Sequence, residues 1–218
     1  MFYKLRNTAS LKTIEDTFEA QFKYPKLYKP IPIINGLKES TLPIITIEKT
    51  KTIDFSIWGL LPVDFKDNWA VFQNISNTLN VPVNNVTNED VFYTKSLKTK
   101  RCLIVVNGFY TTFISAGKIK TFLVYRKNNK PFCMAGVYNE LSDGFKTCSL
   151  LMMPTKNNSI PNFSKNQPVI LKRKYFNYWL DKSYSFSEVK AIINNRDYYD
   201  FQSKVVNQEI IQSSELTS

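Results

Sequence analysis

Histidine is absent from all 218 residues, which removes the commonest general base and the commonest catalytic-zinc ligand from any mechanism. A serine–histidine triad is excluded outright. Cysteine is scarce: Cys102, Cys133 and Cys148 are an odd number without CxxC spacing, so neither a disulfide framework nor a structural zinc site is indicated. A reducing compartment, no metal and no cofactor are expected. Long apolar runs are missing as well. The longest, such as Cys102 to Val106, fall far short of the roughly 20 residues that span a bilayer, and MFYKLRNTAS leads into no apolar stretch of signal-peptide length. A cytoplasmic chain without a membrane partner is expected. Glycine (6) and proline (10) are few, which excludes collagen-like and low-complexity chains. Acidic residues are outnumbered, 18 against 29 Lys and Arg, and the net charge of +11 favours a polyanionic partner.

The composition is 43% hydrophobic and 14% aromatic, enough to bury a core of ordinary density. With no internal repeat and no Gly/Ser/Pro-rich linker, the chain is expected to be one monomeric domain over residues 1–207 with a polar tail over 208–218. Ser10 caps a predicted helix whose apolar positions Leu11, Ile14, Phe18 and Phe22 fall at helical spacing. The Pro-rich stretch Pro25 to Pro32 is expected to be extended, and Asn35-Gly36 offers a turn before the strand Leu42 to Ile47. Ile53 to Trp58, Cys102 to Tyr110, Ile119 to Tyr125, Phe132 to Tyr138 and Thr147 to Met153 are β-branched or aromatic runs. Short connections at Ala116-Gly117-Lys118 and Asn128 to Pro131 make Cys102 to Tyr138 read as an antiparallel meander. Lys172 to Leu180 reads as a short helix, and Ser185-x-x-Glu188 has capping-box spacing for another through Ile193.

Basic residues are densest over Lys95 to Arg101, with Lys172 to Lys174 and Lys118, Lys120, Arg126, Lys127 and Lys130 elsewhere. Each cluster suits phosphate contact, and each equally suits the lysine protection of a solvated strand edge. Trp58, Trp69, Tyr110 and Phe113 have the rings to stack on unpaired bases, although most aromatics are core. No pair of carboxylates flanks a recognisable strand-end motif that would do acid–base work.

One ordered series goes further: Lys38 to Ile47 (KESTLPIITI), Trp58-Gly-Leu-Leu-Pro62, Thr78-Leu-Asn80, Arg101-Cys-Leu-Ile104, Gly108-Phe-Tyr110 and Gln167-Pro-Val-Ile-Leu171. These motifs resemble the SRAP family, the SOS-response-associated peptidases, in order and near spacing from the N-terminus to about Leu180. The resemblance implies an α+β fold dominated by a strongly curved, barrel-like, mainly antiparallel sheet with peripheral helices. It also implies the family's chemistry, in which an N-terminal cysteine forms a thiazolidine with the ring-opened sugar of an abasic site in single-stranded DNA. An asparagine, a glutamate after G-F-Y and a histidine complete the family's site.

Placed on this chain, the cysteine position holds Phe2, the glutamate position Thr111 and the histidine position Pro161, while the asparagine survives as Asn80. Family arginines become Pro82 and Asn166, and the glutamate after the first of them becomes Asn84. A thiazolidine needs a free α-amine and a thiol on one residue, and Phe2 supplies no thiol. The resemblance therefore implies a degenerate member without cross-linking or autopeptidase activity, retaining contacts to single-stranded or abasic DNA. The residues expected to make them are Asn80, Lys4, Arg6, Trp58, Arg101 and Lys165. Two other classes stay open: a protein-interaction module with an apolar surface at Phe2 and Pro161, and an enzyme forming a Schiff base through Lys4 or the Met1 amine.

Overall fold

The computed structural model describes residues 3–83, 93–155, 166–194 and 199–206. In chain order its elements are β1 (Lys4–Asn7), α1 (Leu11–Phe18), β2 (Gln21–Phe22), β3 (Ile31–Asn35), β4 (Thr41–Thr46), β5 (Lys49–Trp58), α2 (Trp69–Ile75) and β6 (Asn80–Pro82). There follow α3 (Tyr93–Thr99), β7 (Arg101–Val106), β8 (Gly108–Ser115), β9 (Lys118–Arg126), β10 (Phe132–Glu140) and β11 (Lys146–Pro154). The last are β12 (Asn166–Pro168), β13 (Ile170–Leu171), α4 (Phe176–Leu180), α5 (Phe186–Asn194) and β14 (Phe201–Val206).

Five of these strands close on themselves. The order β11-β10-β7-β4-β5 is antiparallel throughout, and β5 then returns to β11 through the parallel pairs Ile57↔Thr147 and Trp58↔Cys148. The residues of β7 and nearly all of β10 are buried along their whole length, which is why they read as continuous apolar runs without alternation. A second sheet, ordered β14-β9-β8-β1-β3, packs on the barrel, and Phe109, Phe132 and Phe201 meet edge to face between the two. The fold is α+β, strongly curved and mostly antiparallel, as expected.

Three local expectations are corrected. The helix from Ser10 stops at Phe18, because Glu19 turns left-handed (φ 50°). The Glu15 carboxylate then accepts the Phe22 N–H at 2.9 Å, and Phe22 pairs with Ile53 in β2. Phe22 mimicked helical spacing because it reaches the core anyway, against Tyr28 and Phe55. The stretch from Pro25 opens with a 3₁₀ turn, Pro25–Leu27, before becoming extended. Cys102 to Tyr110 is not one strand. It breaks at buried Asn107, whose side chain accepts the Thr8 N–H and donates to the Thr8 hydroxyl while its own N–H donates to Arg6 O. The chain leaves the barrel there, so β8 and β9 form a hairpin in the second sheet and β10 returns to β7. The capping box at Ser185 forms as expected, Glu188 accepting the Ser185 N–H at 2.8 Å. Among the described residues no helix is long and apolar enough to cross a membrane. Residues 208–218 lie outside the described residues.

Gly136 sits where β7, β10 and β11 press together. A Cβ there would lie 2.8 Å from the Ser149 carbonyl oxygen, a backbone atom that cannot step aside, and 2.6 Å from Ile104 Cδ1. Gly136→Ala is expected to cost about 1–3 kcal/mol, read as a lowered urea midpoint with an unchanged slope.

Candidate functional site

Three of the family-like motifs, around Ser40, Trp58 and Thr78, meet at one corner of the barrel, and hydrogen bonds bring them there. Gly36, in the turn after β3, donates its N–H to Tyr3 O at 2.7 Å and lies flat against the Trp58 ring, so close that a Cβ would stand 2.7 Å from it. Trp58 in turn donates Nε1–H to Leu79 O at 2.9 Å, fixing the residue before Asn80. Leu79 O also accepts the Leu150 N–H, and β6 runs parallel to β11 with Asn80 level with Leu150. Thr78 anchors the approach: its hydroxyl donates to Leu60 O at 2.6 Å, and its N–H donates to the Gln73 side chain at 2.9 Å. Helix α2 exists here to supply Gln73 and Trp69, whose Nε1–H reaches Trp58 O. Nothing in the spacing of the chain singled out Gln73.

Asn80 is therefore in a short strand, not a loop, and is 7% exposed. Thr111 lies in β8, 5% exposed. The pairing of Leu5 with Phe109 and of Arg6 with Gly108, continued two residues, sets Thr111 level with Tyr3. Strand alternation then separates the expected contacts into two sets. Thr111 shares the barrel-facing side with Leu5 and Phe109, whereas Lys4 and Arg6 share the opposite side with Gly108 and Tyr110. Tyr110 donates to Pro32 O at 2.9 Å, and burial raises its pKa against the opposing effect of the Arg6 charge. Phe2, Pro161 and Lys165 lie outside the described residues.

Two of the expected contacts are interior. Trp58 is fully buried, with its ring under Gly36 and its N–H spent on Leu79, so it presents no face for a base. Arg101 is fully buried as well. Its Nε donates to Trp179 O at 2.7 Å, its Nη1 to Lys98 O and its Nη2 to Asp181 O, clamping the end of α4 and the end of α3 onto β7. The sequence placed both in promising company, but a guanidinium satisfied by three carbonyls is a structural clamp.

Other cations are neutralised in place. Asp54 receives Lys146 at 3.2 Å and Lys23 at 3.8 Å, and Lys51 reaches Glu19 at 3.8 Å. Arg173 also pairs with Glu19, at 2.5 Å. Glu48 accepts Lys100 at 2.7 Å and the Tyr138 hydroxyl, and those two hydrogen bonds lower its pKa, the Lys100 bond most. The three thiols are buried and free, and burial pushes them up, Cys148 to about 12 and Cys102 well above its ordinary value. None is a relocated nucleophile. Among the described residues no cluster of acidic or sulfur ligands could hold a metal ion.

A family model described as SOS response associated peptidase (SRAP) matches residues 1–213. The chain belongs to the SRAP family. Solved structures agree on the fold. A protein from Bacteroides thetaiotaomicron superposes with TM-score 0.82 at 19% identity, covering 96% of this chain and 94% of its own. One from Bordetella bronchiseptica gives 0.74 at 13% identity, covering 94% of this chain and 99% of its own. A phage-related protein from the same organism gives 0.66 at 14%, covering 94% of both chains. No curated protein matches the chain. The SRAP motifs thus hold the barrel corner together here, through Trp58, Thr78 and the strand carrying Asn80.

Two outcomes follow from these contacts. Arg101→Ala strips three carbonyls of a buried charged donor and is expected to cost about 2–4 kcal/mol in urea unfolding. The Glu48 carboxylate is held below its ordinary value of 4.5, so its contribution to stability is complete above that value and disappears as pH falls through the lower folded value. Urea titrations of wild type and Glu48→Gln are accordingly expected to differ at pH 7 and to converge toward pH 3.

Proposed function

We propose that this SRAP-family chain binds single-stranded DNA, with preference for strands bearing an abasic site, and does not form the thiazolidine cross-link. Support comes from one observation above the rest: the family-like motifs around Ser40, Trp58 and Thr78-Leu-Asn80 assemble at a single corner through direct hydrogen bonds, with Asn80 held there by β11, on a chain of net charge +11. Against cross-linking stand the chemical requirements themselves. Residue 2 is phenylalanine, without a thiol, and the chain has no histidine to move a proton. Thr111 donates and accepts hydrogen bonds but is no general base near neutral pH.

The cations offered to a strand are Lys4 and Arg6, part-exposed on one face of β1, whereas Asn80 and Thr111 offer only the few per cent of their surface left uncovered. They bind; they do not cleave. The work falls to the phosphate backbone, whose contacts give an affinity that drops steeply with salt.

Fluorescence anisotropy with single-stranded oligonucleotides, with and without an abasic site, is the test. Binding that weakens on raising salt and is tighter for the abasic strand is the expected result. Equal, salt-sensitive binding to both strands would reduce the reading to a basic surface. No binding at low salt would overturn it in favour of the interaction module. Borohydride treatment of the abasic complex is expected to leave no reduced adduct, and a trapped Lys4 would overturn the non-covalent reading.

A further inference from the structure

Several cations are held by Asp54, Glu48, Glu19 or backbone carbonyls. Another group of cations gathers at a turn. At the turn between β9 and β10, Arg126 lies over the Tyr199 ring with its Cζ 4.0 Å from the centroid, and its Nη1 donates to Pro131 O at 3.1 Å. Lys172 approaches the same ring at 5.7 Å. Arg126, Lys127, Asn128 and Asp200 line a recess of about 300 Å³, with Asp200 the one carboxylate among the described lining residues. Lys130 follows in the turn, exposed. From the other side Arg6 reaches in, its Nη1 donating to Asn129 Oδ1 at 3.1 Å.

The strand β1 links this turn to the candidate corner. Lys4 and Arg6 project from one face of it, about 7 Å apart at the rise of a β-strand. Arg6 ends at the turn that carries Lys127 and Lys130. We propose that this is a phosphate track: a single DNA strand leaving the corner runs over Lys4 and Arg6 and sets a phosphate in the recess lined by Arg126 and Lys127, with Lys172 over the neighbouring Tyr199 ring.

Arg126 is the built part of it. A guanidinium resting on an aromatic face and tied by one N–H to a carbonyl has already given up its rotamer freedom, and its other N–H groups keep the fork geometry that suits a phosphate. Among the described residues Arg126 and Lys127 share the recess with Asp200, Lys172 approaches the Tyr199 ring and Arg6 bonds Asn129, so a passing polyanion meets a predominantly positive surface. Tyr199 holds Arg126 in place and acts as a positioning residue.

The inference rests on the single-strand reading, and the test separates the two. The full chain is titrated with a labelled thymidine oligomer of about 20 nucleotides across a salt series. At about 0.7 per phosphate contact, loss of the recess phosphate in Lys127→Glu/Lys172→Glu is expected to flatten the log–log salt slope by about 0.7 and to weaken binding about tenfold at physiological salt. Lys118→Glu/Lys120→Glu makes the same charge change at the far end of β9 and is expected to shift affinity less than about twofold. If both pairs weaken binding equally, charge is diffuse and the track is wrong. If wild type binds and Lys127→Glu/Lys172→Glu binds as well, the track falls and the corner stands. If wild type does not bind, both readings fall. Should the double variant unfold, cross-linking of wild type to iodouracil-substituted DNA decides: adducts on the peptides holding Arg126 to Pro131 or Tyr199 are expected, and adducts confined to other segments would overturn the proposal.

Discussion

Everything that gives this molecule a site depends on the seam at which β5 meets β11. Two parallel pairs, at Ile57 and Trp58, convert an open antiparallel sheet into a closed barrel, and the Gly59 N–H adds a bond to Cys148 O. Trp58 is the residue at that seam, and it faces three ways at once: its ring carries the turn at Gly36, its indole N–H fixes Leu79, and its carbonyl accepts Trp69. Remove the ring and the first strand, the Asn80 strand and helix α2 lose their common reference. A large apolar side chain with a single donor suits such a post, because burial supplies the energy and the donor supplies the direction.

On the proposed reading, that arrangement explains how a chain shares its family's scaffold without its chemistry. The corner is built from backbone bonds and from Trp58, Thr78 and Gln73, none of which needs a reactive neighbour. Thr111 fits in a strand whose pairing with β9 is unaffected by whether its side chain ends in a hydroxyl or a carboxylate. Scaffold and chemistry are thus separable here. On the proposed reading what remains is recognition of a charged polymer, which tolerates loose geometry far better than bond-making does.

Much of the architecture was legible in the chain, and the failures have physical causes. The strands of the barrel showed as apolar runs because they are covered on both faces, and the same continuity concealed the break at Asn107, a polar residue that looks like a lapse in a run but is the exit from one sheet to another. Phe22 passed for a helical position because a core can be reached from a strand at that spacing too. Arg101 and Trp58 show the limit for sites. Type and neighbourhood in sequence marked them as contacts for a ligand, yet the carbonyls of Trp179 and Asp181 and the glycine at 36, all distant along the chain, bring both inside. Tyr199 carried no signal at all, since its meaning comes only from the Arg126 that rests on it.

The seam also sets when the corner can exist. Trp58 and Cys148 stand about ninety residues apart in the chain, so the closing pair is among the most non-local contacts of the fold, and loop closure of that length is slow to be rewarded. During synthesis at about 5–20 residues per second, the Trp58 strand waits on the order of 5–20 s for the partner that closes the barrel. A nascent or truncated chain ending before β11 has every motif up to Gly108-Phe109-Tyr110 and no corner to put them in. On the proposed reading binding requires the closed seam, which ties recognition to the integrity of the whole barrel.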